Sequence, residues 1–299
     1  DALPISFDDE VAVIVYTGIG DKAFCTGGDV KEYQERYTRS PHEYWKYMRL
    51  FGAYIESIVN TGKPVVARIN GMAVGGGNES NLACDLAVIA EHAWVGQVGT
   101  GVGSVAAGGA TQWLPITVGD RRARYMLMTN RRIPAYQALE WGLVNQVAQS
   151  VKKDGAFIEH ATPEQIAQAQ KGADGYSIDL SKLDEAVDAL AQELVDKFAE
   201  CIRFTKEQIN FWKNFSWHQT IGPARDWLSI HYTSWEPLEG MSAFVEKRPA
   251  RYRMLRERAA QGKSSEFIWG AYEKTCPSCG AKALPEEFTH CGVCGAGLK

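Results

Sequence analysis

The 299-residue sequence has no long apolar run and almost no excess of charge of one sign. No segment approaches the roughly 20 consecutive apolar residues of a membrane-spanning helix, which excludes an integral membrane protein of the helical type. With 32 basic and 36 acidic residues the formal net charge is −4, and this balance argues against broad, non-specific nucleic-acid binding. Internal repeats and low-complexity tracts are missing too, while 45% of the residues are hydrophobic. The composition is that of a folded globular protein.

No signal-peptide pattern opens the sequence, which starts at Asp1 almost directly on a predicted strand. We therefore expect that a native N-terminal segment is missing. Of the seven cysteines, four lie within the last 24 residues and three (Cys25, Cys84 and Cys201) are scattered. This distribution is not a disulfide framework and favours a reducing, cytoplasmic compartment.

Three apolar, β-branched runs at residues 11–16, 64–69 and 86–90 are typical of strands buried on both faces. Apolar residues at helical spacing over 44–58 separate the first two runs, and residues 76–84 leave room for a short helix before the third. The alternation predicts an α/β fold with a mostly parallel sheet.

The later part of the chain has a different pattern. Residues 149–178 are polar and are predicted to be a surface insertion, while residues 183–198 form an amphipathic helix with Ser181 as its N-cap. Residues 204–235 contain eight aromatic side chains, which we interpret as helix-packing or subunit-interface residues in preference to a substrate lid. A linker begins at Lys263.

Two glycine-rich loops follow the first two predicted strands. Residues 22–29 read KAFCTGGD and residues 70–79 read NGMAVGGGNE. The glycine triplet of the second loop also opens a predicted helix, whose free N–H groups can face an anion. Either loop alone would fit a tight turn, and neither has the spacing of a nucleotide phosphate loop. Together, at the ends of parallel strands, they can aim two backbone donors at one point, which is the geometry of an oxyanion hole.

These loops resemble the crotonase superfamily, the enoyl-CoA hydratase/isomerase fold that acts on acyl-CoA thioesters. Residues 22–31 are similar to its first oxyanion segment and residues 70–86 to its second, and residues 108–112, 133–145 and 239–248 are similar to later signatures. The resemblance covers about residues 11–252. It implies a stacked ββα superhelix with C-terminal helices, assembled as a homotrimer or a dimer of trimers.

Carried over position by position, the resemblance implies that the backbone N–H groups of Gly28 and Gly76 hold the thioester oxygen. Glu79 would be the general acid/base that acts on water; the alternative for Glu79 is an acid that stabilises the helix start through the helix dipole. The residues that the resemblance places around the acyl-CoA substrate are Ala23, Gly28, Asp29, Val30, Lys31 and Gly76.

The sequence departs from the family at position 99, where glycine stands in place of the second hydratase glutamate. The loop at residues 96–104 is similar to that of the naphthoyl-CoA synthase and ring-opening hydrolase branches, which handle cyclic β-keto acyl-CoA substrates. The synthase branch lacks a glutamate at the position of Glu79. Tyr33, Tyr37 and His42, beyond the first loop, are the options for a second acid or base, but each is more often a packed or solvated residue and none is favoured.

A metal module closes the chain. The cysteines form two C-x-x-C pairs, each followed by glycine and separated by 11 residues, namely Cys276, Cys279, Cys291 and Cys294. Four thiolates make a closed tetrahedral zinc site, with iron as the main competing metal. About 24 residues cannot build a core, so metal binding would supply the folding energy of this zinc ribbon.

Two further features have modest interpretations. The basic stretch over residues 247–263 is expected to be a solvated helix face, with contacts to CoA phosphates, nucleic acid or an acidic protein as alternatives. His92, directly after Glu91, is expected at the surface.

The sequence therefore predicts three regions: a crotonase core over residues 1–148, an insertion and helical region over 149–262, and a zinc ribbon over 270–299. The predicted enzyme adds water to an α,β-unsaturated acyl-CoA, with coenzyme A entering as part of the substrate. One alternative is a hydrolase that opens a cyclic keto-acyl-CoA of the 6-oxocyclohexenecarbonyl type. An alternative of another class is a non-catalytic binding protein that uses its zinc ribbon.

Overall fold

A computed structural model describes residues 3–267 and 269–298 of the chain. All three strands predicted from apolar runs are present, and the first begins at Ile14, three residues later than predicted. The strands are β1 (Ile14–Thr17), β2 (Ala23–Cys25), β3 (Val65–Ile69), β4 (Met72–Val74), β5 (Leu86–Ala90), β6 (Trp94–Gly96), β7 (Arg132–Pro134), β8 (Gln146–Ala148), β9 (Val151–Lys153), β10 (Ala156–Phe157) and β11 (Tyr176–Ile178).

Helices connect and cover these strands. They are α1 (Leu3–Ser6), α2 (Val30–Glu32), α3 (Pro41–Val59), α4 (Gly76–Ala83), α5 (Ala110–Val118), α6 (Asp120–Thr129), α7 (Ala135–Trp141), α8 (Pro163–Ala169), α9 (Ser181–Val195), α10 (Ala199–His231), α11 (Trp235–Val245) and α12 (Met254–Ala260). A π-helical turn spans Tyr33–Tyr37 and a 3-10 turn spans Gly99–Gly101. No helix in the described part of the chain is both long and apolar enough to cross a membrane.

Two four-stranded sheets organise the chain. The first has the order β1-β3-β5-β8 and is parallel throughout. The second has the order β2-β4-β6-β7, in which only the last pair is antiparallel. Each strand of the first sheet through β5 is followed by a short strand of the second, so the chain alternates between the sheets before each helix. The predicted α/β class and parallel pairing are confirmed.

The central strands β3 and β5 of the first sheet are buried because they are largely apolar on both faces, whereas the prediction of burial on both faces is wrong for β1, in which Val15 and Thr17 are exposed. Ile69, Val88 and Ile89 have no exposed surface, and α9 covers this sheet with Leu183, which is also fully buried. The one polar residue in the middle of β3, Arg68, forms an ion pair of 2.6 Å with Asp184 of α9. Strands β1 and β3 of this sheet lead directly into β2 and β4, which carry the glycine loops.

The insertion has more structure than its polarity indicated. Strands β9, β10 and β11 form an antiparallel sheet, and Thr162 caps α8 by accepting a hydrogen bond from the N–H of Gln165. The predicted N-cap of α9 is wrong by one position, since Leu180 is the cap and Ser181 is the first helical residue. The helix also ends at Val195, three residues before the predicted end.

The described residues separate into two compact units. The first contains the chain up to Asp29, Trp45–Gly101 and Val105–Trp227, and the second contains Val30–Tyr44, Val102–Ser104 and the chain from Leu228 onward. The first unit holds the three sheets. The second holds α11, α12 and the four C-terminal cysteines. The three-region division expected from the sequence stays a prediction.

Candidate active site

The two glycine loops lie side by side because β2 and β4 are parallel neighbours. Ala23 pairs with Met72 and Cys25 with Ala73, so both chains leave the sheet at the same edge. A Cβ atom placed on Gly27 would lie 2.9 Å from the backbone nitrogen of Gly76. The loops are therefore in backbone contact, at an approach that only glycine at position 27 permits.

The start of α4 is packed against loop one in the same way. A Cβ atom on Gly77 would lie 1.9 Å from the carbonyl oxygen of Cys25. Because no side chain fits there, the third glycine of the triplet lets the helix begin directly beside the first loop. This close approach fixes the first turn of α4 relative to residues 25–28.

The N–H groups of Gly28 and Gly76 are available as donors. Both residues are half-buried, and Gly76 is the first residue of α4, where a helical N–H has no intrahelical acceptor. Within residues 3–267 and 269–298, neither N–H is hydrogen-bonded to another group of the chain. The structure thus brings two unpartnered donors to neighbouring loops.

The peptide that carries the Gly76 N–H is held from its opposite side. Its carbonyl oxygen, that of Gly75, accepts a hydrogen bond of 3.2 Å from Nε2 of Gln97 and one of 3.0 Å from the N–H of Glu79. The N–H of Gly75 donates to the carbonyl oxygen of Gly96 at 3.0 Å. Since a peptide is planar with its C=O and N–H antiparallel, holding the oxygen also sets the direction of the N–H. Gln97 is a residue that sequence reasoning missed.

A second set of side chains holds the helix start from the side of α3. The Ser80 hydroxyl donates to the carbonyl oxygen of Gly76 at 2.8 Å. The Tyr54 hydroxyl lies 2.9 Å from the Ser80 hydroxyl. Tyr54 is in turn hydrogen-bonded to Tyr16 of β1. Burial raises the pKa of Tyr54 well above its ordinary value, so the phenol stays neutral and able to donate.

Glu79 lies in the first turn of α4 and is 5% exposed. Its Oε1 accepts a hydrogen bond of 3.3 Å from the N–H of Ala110, the first residue of α5. Burial raises the pKa of Glu79 to about 7, while the backbone N–H groups of Ala110 and Gly108 act in the opposite direction by stabilising the carboxylate. A carboxyl group with this pKa can both accept and donate a proton near neutral pH.

The other predicted substrate residues are spread along the first loop and the turn after it. Ala23, at the start of β2, and Val30, at the start of α2, are half-buried, whereas Asp29 and Lys31 are exposed. Gly99 lies in the 3-10 turn two residues after Gln97, and it brings no carboxylate.

The three residues considered as a second acid or base belong to the second unit. Tyr33 and Tyr37 form a cluster with Tyr44 and Tyr232, and the rings of Tyr44 and Tyr232 stack at 3.6 Å. His42 is exposed.

The expectation for His92 is wrong. This side chain is 4% exposed, and its two ring nitrogens lie 2.7 Å from the Ser150 hydroxyl and 2.8 Å from the carbonyl oxygen of Asp21. Burial lowers the pKa of His92. The imidazole therefore ties the start of the insertion to the turn after β1.

The C-terminal cysteines form one compact cluster. Sγ of Cys276 lies 3.6 Å from Sγ of Cys294, Sγ of Cys279 lies 3.7 Å from Sγ of Cys291, and all four sulfur atoms lie within 4.8 Å of one another. Four sulfur ligands at 2.3 Å in a tetrahedron would be separated by about 3.8 Å. The donor set and its spacing therefore fit a tetrahedral metal ion such as zinc.

The basic stretch is partly neutralised rather than simply solvated. Arg248 and Arg251 both bind the buried Glu239, at 2.7 and 2.9 Å. Arg258 of α12 forms an ion pair of 2.6 Å with Glu287, which lies between the two cysteine pairs. These three cations hold the C-terminal part of the second unit together.

The aromatic segment over residues 204–235 is divided between core and surface. Trp217 and Tyr232 are buried, and the ring of Trp217 stacks on Trp113 of α5 at 5.4 Å. Five others are more than half exposed, namely Phe204, Phe211, Trp212, Phe215 and Trp227. Exposed apolar surface of this kind is typical of a contact with another protein chain.

Comparisons with known proteins agree with this architecture. A family model described as enoyl-CoA hydratase/isomerase matches residues 2–171. The chain is 35% identical over 278 residues to a 6-oxocyclohex-1-ene-1-carbonyl-CoA hydrolase of Thauera aromatica, covering 85% of this chain and 74% of that protein. It is also 35% identical over 265 residues to the protein of the same name from Geobacter metallireducens, covering 81% and 68%.

Solved structures show the same fold. An enoyl-CoA hydratase/isomerase from Mycobacterium paratuberculosis superposes with a TM-score of 0.65 at 23% identity, over 81% of this chain and 83% of that one. An enoyl-CoA hydratase from Bacillus anthracis superposes with a TM-score of 0.57 at 28% identity, over 83% and 84%.

Proposed function

The chain belongs to the enoyl-CoA hydratase/isomerase family, the crotonase superfamily, and on that basis we propose that it adds water to an α,β-unsaturated acyl-CoA. The predicted crotonase-like fold and the acyl-CoA enzyme class are confirmed. The observation that carries the proposed reaction is the combination, at one sheet edge, of two unpartnered N–H donors and a buried carboxyl group with a pKa of about 7.

In the proposed reaction the thioester oxygen accepts hydrogen bonds from the N–H groups of Gly28 and Gly76. Water adds to the β-carbon, and the electron pair of the C=C bond moves through the α-carbon onto that oxygen. Both hydrogen bonds become stronger as negative charge develops on the oxygen, so they stabilise the transition state more than the bound substrate. Loss of one such donor typically costs about 3–4 kcal/mol.

Glu79 moves the proton. Its carboxylate takes a proton from the attacking water, and the resulting acid returns a proton to the α-carbon, so that one water molecule is added in all. A pKa near 7 suits both steps, because the ionised and neutral forms are then both populated. The hydrogen bond from the N–H of Ala110 to Oε1 holds the carboxyl group in place.

The test is Glu79→Gln assayed with but-2-enoyl-CoA and 6-oxocyclohex-1-ene-1-carbonyl-CoA. We expect turnover to fall by about 100- to 10,000-fold, since the amide cannot carry the proton. Glu140→Gln, which removes a 68% exposed carboxylate of α7, is the matched control and should keep full activity. Full turnover by the Glu79 variant would overturn the proposal.

A second candidate reaction is hydrolytic ring opening of a cyclic keto-acyl-CoA. It is favoured by the similarity to the 6-oxocyclohex-1-ene-1-carbonyl-CoA hydrolases of Thauera and Geobacter and by Gly99, where a second carboxylate would otherwise stand. In this reaction one water first adds across the C=C bond, as above. A second water then loses a proton and adds to the ring ketone, and the bond to the now saturated α-carbon breaks, leaving an enolate that takes the proton back. The electron pair again reaches the thioester oxygen, so the same two donors would serve. Product mass separates the reactions, because hydration adds one water to the substrate, whereas ring opening adds two and gives a dicarboxylic half-thioester.

Membership of an enzyme family favours either reaction over a non-catalytic binding protein. Salt-dependent binding to nucleic acid without any affinity for acyl-CoA would support the binding protein instead.

We also propose that the four-cysteine cluster binds one zinc ion with a structural role. Four thiolates complete a tetrahedral shell and leave no position for a substrate. Buried Cys276 and Cys291 sit at the centre of the only apolar cluster described around the ribbon, with Leu284. So small a core needs the metal for its folding.

For the assembly we propose a homotrimer or a dimer of trimers, supported by the exposed aromatic residues of α10. Light scattering of the intact protein tests this. The pattern of four metal-spaced cysteines and three isolated thiols supports a reducing compartment such as the cytoplasm, which localisation of the tagged protein in cells would test.

A further inference from the structure

Phe51 of α3 occupies the space between the two reactive groups of the site. The ring carbons Cζ and Cε2 lie 3.3 and 3.4 Å from the position of a Cβ on Gly76. On the other side, Cε1 lies 2.1 Å from the position of a Cβ on Gly108. The distal edge of the ring is therefore in contact with the backbone of the oxyanion donor on one side and with the loop before α5 on the other.

The same edge borders the carboxyl group of Glu79. Oε2 of Glu79 lies 2.9 Å from the Cβ position on Gly108, which is 2.1 Å from Cε1 of Phe51. The two atoms are consequently no more than about 5 Å apart. Phe51 is only partly buried.

Neighbouring rings hold Phe51 in place. Tyr47, one turn earlier on α3, stacks nearly parallel to it, with 6.3 Å between centroids and 4° between planes. Tyr54, one turn later, lies 6.0 Å away and is hydrogen-bonded to Ser80 of α4. A ring supported on both sides along its helix presents a rigid apolar wall rather than a mobile side chain.

We propose that Phe51 determines the specificity of the site for the acyl group, by giving a flat, ring-shaped acyl chain a wall to pack against between Gly76 and Glu79. This inference rests on the proposed function. A thioester with its oxygen at Gly76 and its β-carbon within reach of Glu79 must run past the ring edge. A cyclic acyl group covers more of that wall than a linear four-carbon chain, and gains correspondingly more from the contact.

The experiment measures binding, so it does not depend on turnover. Dissociation constants of cyclohexanecarbonyl-CoA and butanoyl-CoA are determined for the wild type, Phe51→Leu and Phe51→Ala. We expect the variants to weaken the cyclic ligand about tenfold and the linear one less than threefold. Leu50→Ala, which truncates the adjacent, 74% exposed residue of α3, is the control and should change neither constant.

An unchanged ratio of the two constants would overturn the inference, whether both ligands weaken equally or neither does. Phe51→Leu keeps most of the side-chain volume, so it provides the answer if Phe51→Ala does not fold. The outcome for the proposed function is separate, because that is decided by turnover of the wild type and its loss in Glu79→Gln.

Discussion

Nε2 of Gln97 donates to the carbonyl oxygen of Gly75 at 3.2 Å, and the same peptide carries the N–H of Gly76. A side chain that touches no substrate in the proposed reaction thus fixes the direction of one proposed oxyanion donor. Gln97 is 1% exposed, and its Oε1 has no hydrogen-bond partner within the described residues. The hydrogen bond from Nε2 to Gly75 is therefore the interaction that holds the Gln97 amide in the core.

Gln97→Met tests this positioning role. Methionine keeps the length and burial of the side chain but donates no hydrogen bond, so the carbonyl oxygen of Gly75 keeps only the hydrogen bond from the N–H of Glu79 and the Gly75–Gly76 peptide is held less firmly. We expect kcat to fall about 10- to 100-fold with KM changed less than about threefold, because the loss concerns charge that develops in the transition state. Steady-state kinetics on the best acyl-CoA substrate measure both.

Gln146→Met, at an exposed position of β8, is the control for the substitution itself. If KM rises as much as kcat falls, Gln97 acts on binding in general rather than on the oxyanion donor.

Glu79→Gln should stabilise the fold at alkaline pH. The pKa of Glu79 is about 7 in the folded protein and 4.5 in its ordinary state. A raised carboxyl pKa means that the folded chain holds a proton which the unfolded chain has released, so stability falls as pH rises from about 4.5 to about 7. At about pH 8 the full difference of roughly 3 kcal/mol opposes folding in the wild type only.

Urea denaturation of the wild type and the variant at about pH 5 and about pH 8 measures this. The advantage of the variant should be small at the lower pH and grow at the higher. An advantage that stays constant across this range would show that Glu79 titrates normally.

Gly77→Ala and Gly52→Ala should have opposite effects on stability. A methyl group on Gly77 collides with the carbonyl oxygen of Cys25, whereas one on Gly52 of α3 meets its nearest atom, Cζ2 of Trp217, at 3.6 Å. We expect Gly77→Ala to destabilise the protein by about 1–3 kcal/mol through strain. Gly52→Ala should stabilise it by about 0.5–1 kcal/mol, since alanine is the better helix former. Thermal melts of the two variants provide the comparison, and equal shifts would contradict the packing at the start of α4.

Removal of metal should unfold the C-terminal ribbon without unfolding the sheets. With a chelator, or in Cys276→Ser, we expect amide hydrogen exchange over residues 271–298 to become fast, because metal binding supplies the folding energy of this segment. Strands β3 and β5 should keep their protection. Cys201→Ser, at an exposed thiol of α10, is the control and should retain about one zinc per chain.

Three strands of the first sheet could be predicted from continuous apolar runs, which burial on both faces explains for β3 and β5. The fourth, β8, has three residues and begins with the exposed Gln146, and it was missed. The second sheet could not be predicted, since β2, β4, β6 and β7 have three residues each, too few for any periodicity to be visible. The glycine loops nevertheless marked the ends of β2 and β4, because only glycine fits where two backbones approach closely, and glycine is visible in the sequence.

Contacts between segments that are distant in the sequence have no such local pattern and could not be predicted. His92 looks like a surface residue until Ser150 and Asp21 are brought to its two nitrogens. Gln97 and Phe51 likewise acquire a role only when Gly75 and Gly76 are placed beside them. The chemistry-bearing residues were predictable from local pattern, whereas the residues that orient them depend on tertiary packing.

Gly76 and Glu79 are carried by one eight-residue helix, α4. The spacing between a proposed anion donor and a proposed proton carrier is consequently set by helical geometry and not by the surrounding loops. Substitutions that widen or reshape the walls of the acyl-binding site can alter which substrates bind, while the distance between Gly76 and Glu79 stays the same. Divergence of substrate preference within such a scaffold would then require no retuning of the reactive pair.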